Sequence, residues 1–339
     1  MHKTYIKYIL FAFLYLLTSN KSKGQNQTNN INGITVICPP DSIINNPFDE
    51  IKSLGANWTC IVPYRNCELS NFQIAKEDVF GWWGLSIEGI ETSIQMAKQS
   101  GLKIFLKPQL YLENSWPGTI DFKTEKEWQN WEKQYTDFIM TFLDLAIKHD
   151  VDMFCIGTEI KNSIRKRENY WLNLIENIRY KYKGQLIYSA NWDAYQNVDF
   201  WDKLDLVGIS SYFPLSDDIN ASPTELRKRW VPYLRSLRRF YSHNRKPILF
   251  TEYGYLSVDR AAYRHWEHED NIANLAVNET AQANALETLY AIWMEESIWA
   301  GGFLWKWYPD KKGHQGYFEK DYTPQGKKAE GVIKKWFTK

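Results

Sequence analysis

Residues 246–255 read KPILFTEYGY, an apolar run that ends by delivering one carboxylate, Glu252, among aromatic neighbours. Residues 248–251 (ILFT) have the length and β-branched, aromatic make-up of a buried strand. A second stretch has the same design: residues 155–159, CIGTE, run apolar and then end on Glu159. Working outward from these two, short apolar runs alternate with longer amphipathic ones along the chain. Strands are expected at 33–38, 57–63, 102–107, 152–156, 185–190, 205–209, 247–250 and 302–304.

Between the strands lie helical candidates at 88–99, 126–149, 169–182, 224–241, 282–295 and 325–337. The longest carries Trp128, Trp131, Tyr135, Phe138, Phe142 and Leu145 at three- and four-residue spacing, the mark of one apolar helix face. Pro223 and Thr224 read as a helix start. Eight strand–helix units in a chain of 339 residues predict an α/β fold with a single (β/α)8 TIM barrel. The rival is an open doubly wound sheet, but no G-x-G-x-x-G follows the first strand, which argues against its dinucleotide-binding form.

Forty-one basic and 40 acidic residues nearly cancel, so no charge excess recommends a nucleic acid or an anionic membrane as partner. The chain holds 16 Trp and 21 Tyr, more than packing alone requires, and flat rings in a groove suit the apolar faces of sugars. The N-terminus, MHKTYIKYILFAFLYLLTSNKSKGQ, has Lys3 and Lys7 before an apolar run at 9–17 and small residues at 22–24. It reads as a signal peptide over 1–24, cut near Gly24, then a polar linker over 25–32 and one catalytic domain over 33–339. The expected mature protein is a bacterial secreted or periplasmic monomer with no integral membrane span; an uncleaved anchor is the alternative. Cys38, Cys60, Cys67 and Cys155 lack zinc-ligand spacing, and a Cys60–Cys67 bridge stays open.

In a barrel the chemistry lies at the C-terminal strand ends. Glu159 and Glu252 end strands four and seven, which face each other across the mouth. A strand-end Glu by itself often only caps the next helix. Two that converge are the minimum equipment for glycoside hydrolysis: one protonated to assist the leaving oxygen, one ionised to attack the anomeric carbon.

The chain resembles glycoside hydrolase family 113, the β-mannanase family, within the large clan of retaining glycosidases. Besides the two glutamates, the resemblance rests on Ala190-Asn-Trp-Asp193, Phe200-Trp-Asp-Lys-Leu-Asp-Leu-Val-Gly-Ile209 and Ser211-Tyr-Phe-Pro214, and it spans about 33–339. It implies Glu159 as acid/base, Glu252 as nucleophile, β-mannan as substrate and no cofactor. Many clan members place Asn before the acid/base; here that position is Thr158, whose hydroxyl can still donate to or accept from the sugar 2-hydroxyl, with Asn191 or another group as the alternative for that contact.

Other strand ends supply supporting candidates. Tyr212 is placed to hold Glu252, and Lys107 to bind a hydroxyl or keep a carboxylate ionised; a core Tyr and a wall salt bridge are the alternatives. Trp305, Trp82, Trp83, Trp116 and Trp192 are candidate sugar platforms. The HWEHED cluster at 265–270 is expected to be a solvated loop over the groove after strand seven rather than a metal site. G-x-S-x-G is absent. The expected activity is endo-β-1,4-mannanase. Alternatives are a retaining glycosidase on another β-glycan, an exo-β-mannosidase, or a non-catalytic carbohydrate-binding barrel for glycan uptake.

Overall fold

The computed structural model describes residues 30–68, 70–311 and 316–339. The expected signal peptide and residues 25–29 of the expected linker lie outside them. Eight parallel strands close into a barrel: β1 (Ile31–Val36), β2 (Trp58–Ile61), β3 (Lys103–Leu106), β4 (Met153–Thr158), β5 (Gln185–Asn191), β6 (Val207–Ser210), β7 (Ile248–Tyr253) and β8 (Trp299–Trp307). Each pairs with its neighbours in sequence, and β8 closes on β1 through Ile31↔Gly301 and Gly33↔Phe303. The first strand starts two residues earlier than the composition suggested, inside the stretch read as linker.

Two cores follow from the alternation of side chains along each strand. Inward residues such as Cys60, Phe105, Met153, Ile187, Leu249 and Phe303 fill the barrel. Outward residues meet the helices Ile87–Gln99, Glu125–Lys148, Glu168–Lys181, Pro223–Asn244, Glu279–Trp293 and Lys328–Phe337. Capping boxes at Thr124/Glu127 and Ser222/Glu225 start the two longest of these. The ring thins at two places: only the short helix Phe48–Ser53 joins β1 to β2, and the connection from β5 to β6 is two 3-10 turns, Tyr195–Asn197 and Trp201–Lys203, rather than a helix. Much of the tryptophan excess is core, since Trp131, Trp171, Trp201, Trp230 and Trp293 are fully buried.

The open disulfide question is settled by this division. Cys60 points into the barrel and Cys67 packs in the outer core, so the two belong to different clusters and both are free thiols.

Candidate active site

Both strands that end in glutamate carry an extra residue just before it. On β4, Cys155 pairs with Ile187 and Thr158 with Ser189; on β7, Ile209 pairs with Phe250 and Ser210 with Glu252. Such bulges re-aim the side chain that follows. Glu159 also has φ 57°, a left-handed conformation that costs a non-glycine residue about 1–3 kcal/mol. Its backbone is pinned there: its N–H donates to the Ser189 carbonyl at 2.8 Å, and its carbonyl accepts from Lys161 N–H at 2.8 Å. Sequence reading located the two carboxylates but not these distortions, which depend on pairing partners far away in the chain.

Glu252 is buried and surrounded by donors. The Lys107 ammonium, itself fully buried, contacts Oε1; Gln109 Nε2 donates to Oε1 at 2.7 Å, and Tyr212 OH donates to Oε2 at 3.0 Å. Burial pulls the Lys107 pKa down, but the Glu252 charge and hydrogen bond more than offset it, and the net direction is up.

Glu159 has the opposite setting. Burial, and then the negative charge of Glu252, raise its pKa to about 7 against hydrogen bonds from the Trp116 indole N–H and Ser210. Beneath the pair, Ser189 Oγ lies 3.1 Å from Ser210 Oγ and 2.6 Å from Thr251 Oγ1, so hydroxyls tie β5, β6 and β7 together.

The pair opens into a cavity of about 850 Å³. Of the residues singled out from sequence, Thr158, Glu159, Asn191, Trp192, Tyr212, Glu252, Trp116 and Trp305 line it. Lys107 lies behind Glu252. Trp116 meets the acid of the pair directly through its N–H. Asn191 Oδ1 accepts from the Trp192 N–H at 2.9 Å, and Trp192 stacks on Trp266 with ring centres 6.1 Å apart and planes at 9°. Trp82 and Trp83 are not among the lining residues; the Trp82 backbone N–H donates to Asp78 Oδ2 at 2.7 Å, and Trp83 starts a 3-10 turn.

Several further cavity residues were not among the sugar-binding candidates. Gln109 is brought in by a small parallel sheet, Tyr64–Asn66 with Gln109–Tyr111, which rises above the barrel mouth. His265, Trp266, Glu269 and Asp270 form a wall from the segment expected to be a solvated loop. That segment is instead the short helix His265–Glu269, tied down by His268 Nε2 at 2.9 Å from the Arg260 carbonyl and by Tyr322 OH donating to Glu269 at 2.7 Å. The density of aromatic and titratable residues in HWEHED was the available signal; its partners lie tens of residues away. No group of His, Cys, Asp or Glu among the described residues has the arrangement to hold a metal, and no helix among them is long and apolar enough to cross a membrane.

Residues 45–327 match Glycoside Hydrolase Family 113. Among solved structures, the chain is similar to a family 113 β-mannanase from Alicyclobacillus acidocaldarius: 25% identity, 91% of this chain and 97% of that one, TM-score 0.75. It shares its fold with another family 113 β-1,4-mannanase at 23% identity, covering 91% of this chain and 99% of that one, TM-score 0.74. A β-glucuronidase from Ruminococcus gnavus is more distant, with 13% identity, 91% of this chain against 50% of that one, and TM-score 0.60. No curated protein sequence matches the chain significantly. The match to the family spans most of the chain, which belongs to Glycoside Hydrolase Family 113 and is a glycoside hydrolase.

Proposed function

We propose that the protein is an endo-acting β-1,4-mannanase that cleaves by double displacement with retention of configuration. The observation that carries this is the asymmetry of the pair: Glu252 is clasped by an ammonium and two neutral donors, while Glu159 is pushed up to about 7. A carboxylate clasped by donors, facing one that burial pushes toward its protonated form, is the pairing of nucleophile and acid/base that glycoside hydrolysis needs. Substrate choice is supported by the likeness to the β-mannanase from Alicyclobacillus acidocaldarius.

In the first step a Glu252 oxygen attacks the anomeric carbon and the C–O bond to the leaving sugar breaks. Glu159 gives its proton to the departing oxygen. The resulting ester leaves Glu252 uncharged. Its negative charge is one of the two influences that raise Glu159, so Glu159 becomes more acidic at this point. It can then take a proton from water, whose oxygen attacks the anomeric carbon and frees Glu252. Tyr212 and Gln109 hold the nucleophile throughout, and small misplacement there costs large factors in rate. Trp305 and the Trp192–Trp266 pair offer ring faces to the sugars. A signal peptide cut near Gly24 places the enzyme outside the cytoplasm, where polymeric mannan is met; N-terminal sequencing of the mature protein checks that.

The test is product analysis on linear mannan, β-glucan, xylan and a mannooligosaccharide, with the first-formed anomer followed by NMR. Short oligosaccharides from mannan, released as the β-anomer, are expected. Mannose released singly replaces endo with exo action, and an initial α-anomer overturns the double displacement. Products from glucan alone overturn the substrate, and binding without turnover on all four favours a carbohydrate-binding barrel.

A further inference from the structure

One cavity side chain has no part in the reaction described above. His265 opens the short helix after β7 and lines the cavity with Glu252. Stacking holds its ring: the centre lies 4.3 Å from that of Tyr212 at 31°, and 5.1 Å from that of Trp266 at 83°. Tyr212 is the residue whose hydroxyl donates to Glu252. The imidazole therefore rests on the phenol that steadies the nucleophile.

Its polar atoms are unspent. No described residue hydrogen-bonds either ring nitrogen, and Nδ1 is buried without a partner. Native structures rarely leave a buried nitrogen unmatched, because the cost is about 1–3 kcal/mol. His268, one turn on, differs: its Nε2 already engages the Arg260 carbonyl. Burial holds the His265 pKa down at about 4, with His268 acting the same way and Glu252 opposing. Near neutral pH the ring is thus uncharged, with one donor and one acceptor. That suits a hydroxyl, which both donates and accepts. The neighbouring Glu269 and Asp270 on the same wall disfavour an anionic sugar.

We propose that His265 is a specificity-determining residue that hydrogen-bonds a hydroxyl of the neutral sugar ring seated against Glu252. This rests on the reading of Glu159 and Glu252 as the catalytic pair. A site built to hydrogen-bond a hydroxyl rejects the analogue that lacks it.

The experiment compares wild type, His265→Phe and His265→Gln on an aryl β-mannotrioside and on its 2-, 3- and 6-deoxy forms at the ring next to the cleaved bond. Phe keeps the stack on Tyr212 and removes both nitrogens. The wild type is expected to lose roughly 10- to 100-fold in kcat/KM on one deoxy form. His265→Phe is expected to lose as much on the parent and nothing further on that deoxy form, and His265→Gln to recover part of the loss. If His265→Phe does not fold, His265→Gln decides by the same rule: its loss on the parent must shrink on one deoxy form alone. Wild-type kcat/KM in the variants, or losses that multiply on every deoxy form, overturn the inference. A wild type inert on the parent overturns the catalytic pair and this inference with it; an active wild type keeps the two failures apart.

Discussion

Trp116 donates its indole N–H to Oε2 of Glu159, a hydrogen bond that favours the charged carboxylate while burial and Glu252 favour the neutral one. The indole reaches that position by folding back over its own turn, against Gly118, where a methyl group would lie 2.1 Å from the ring. Proton donation and proton uptake both depend on Glu159, so Trp116 sets the balance between the two steps. Trp116→Phe removes the donor and raises the Glu159 pKa above about 7. The first step needs the protonated acid, so the basic limb of kcat/KM moves to higher pH. The second step, which needs the ionised form, slows. A basic limb that stays in place or moves to lower pH refutes this role for Trp116.

Lys107→Met keeps an apolar stem beside Trp305 but leaves Glu252 buried without its cation. Breaking one side of a buried ion pair typically costs about 3–5 kcal/mol. Both the melting temperature and kcat/KM of the remaining folded enzyme are expected to fall. If Lys107 were only a strut in the barrel wall, the melting temperature would fall while kcat/KM of the folded fraction held.

The barrel and its two carboxylates were legible in the sequence because both are local signals: a strand is a short apolar run, and Glu159 and Glu252 each end one. Thr158, Asn191 and Tyr212 were reachable by the same rule, as strand-end residues that line the cavity. What the pattern did not carry is non-local. Gln109 reaches Glu252 across 143 residues through a small sheet above the mouth, and His265 is placed by contacts with Tyr212 and Trp266. The tryptophans show the limit of composition: Trp82 and Trp83 were candidate sugar platforms beside Trp116, Trp192 and Trp305, yet only the latter three line the cavity.

Gly254 completes the stretch that sets the fold, and its lack of a side chain is a requirement of the site. A methyl there would lie 2.4 Å from the carbonyl oxygen of Trp305 and 3.3 Å from the Tyr322 ring. Gly254→Ala must push β8 and the Trp305 indole away from Glu252. Overpacking of this kind costs about 1–3 kcal/mol. A lower melting temperature and a lower kcat/KM are expected together. Gly331→Ala is the control, since the added methyl meets nothing within 4 Å and lies in the helix Lys328–Phe337. That variant is expected to be active and as stable as the parent or about 0.5–1 kcal/mol more so. Equal behaviour of the two variants would sink the argument.

Glu159→Ala separates the two halves of the reaction. A substrate with a poor leaving group needs the acid, so its kcat/KM is expected to fall roughly 100- to 10,000-fold. A substrate with a good leaving group departs without protonation, and its first step survives. The second step lacks its base, so the glycosyl-enzyme on Glu252 accumulates and product appears as a burst. The basic limb of the wild-type profile, which follows the Glu159 pKa of about 7, is expected to vanish for that substrate in the variant. A limb that persists unchanged assigns the acid to another group. A variant that loses both substrates equally, with its fold intact by circular dichroism, makes Glu159 a structural residue and returns the search for the acid to Glu269 and Asp270, which line the same cavity.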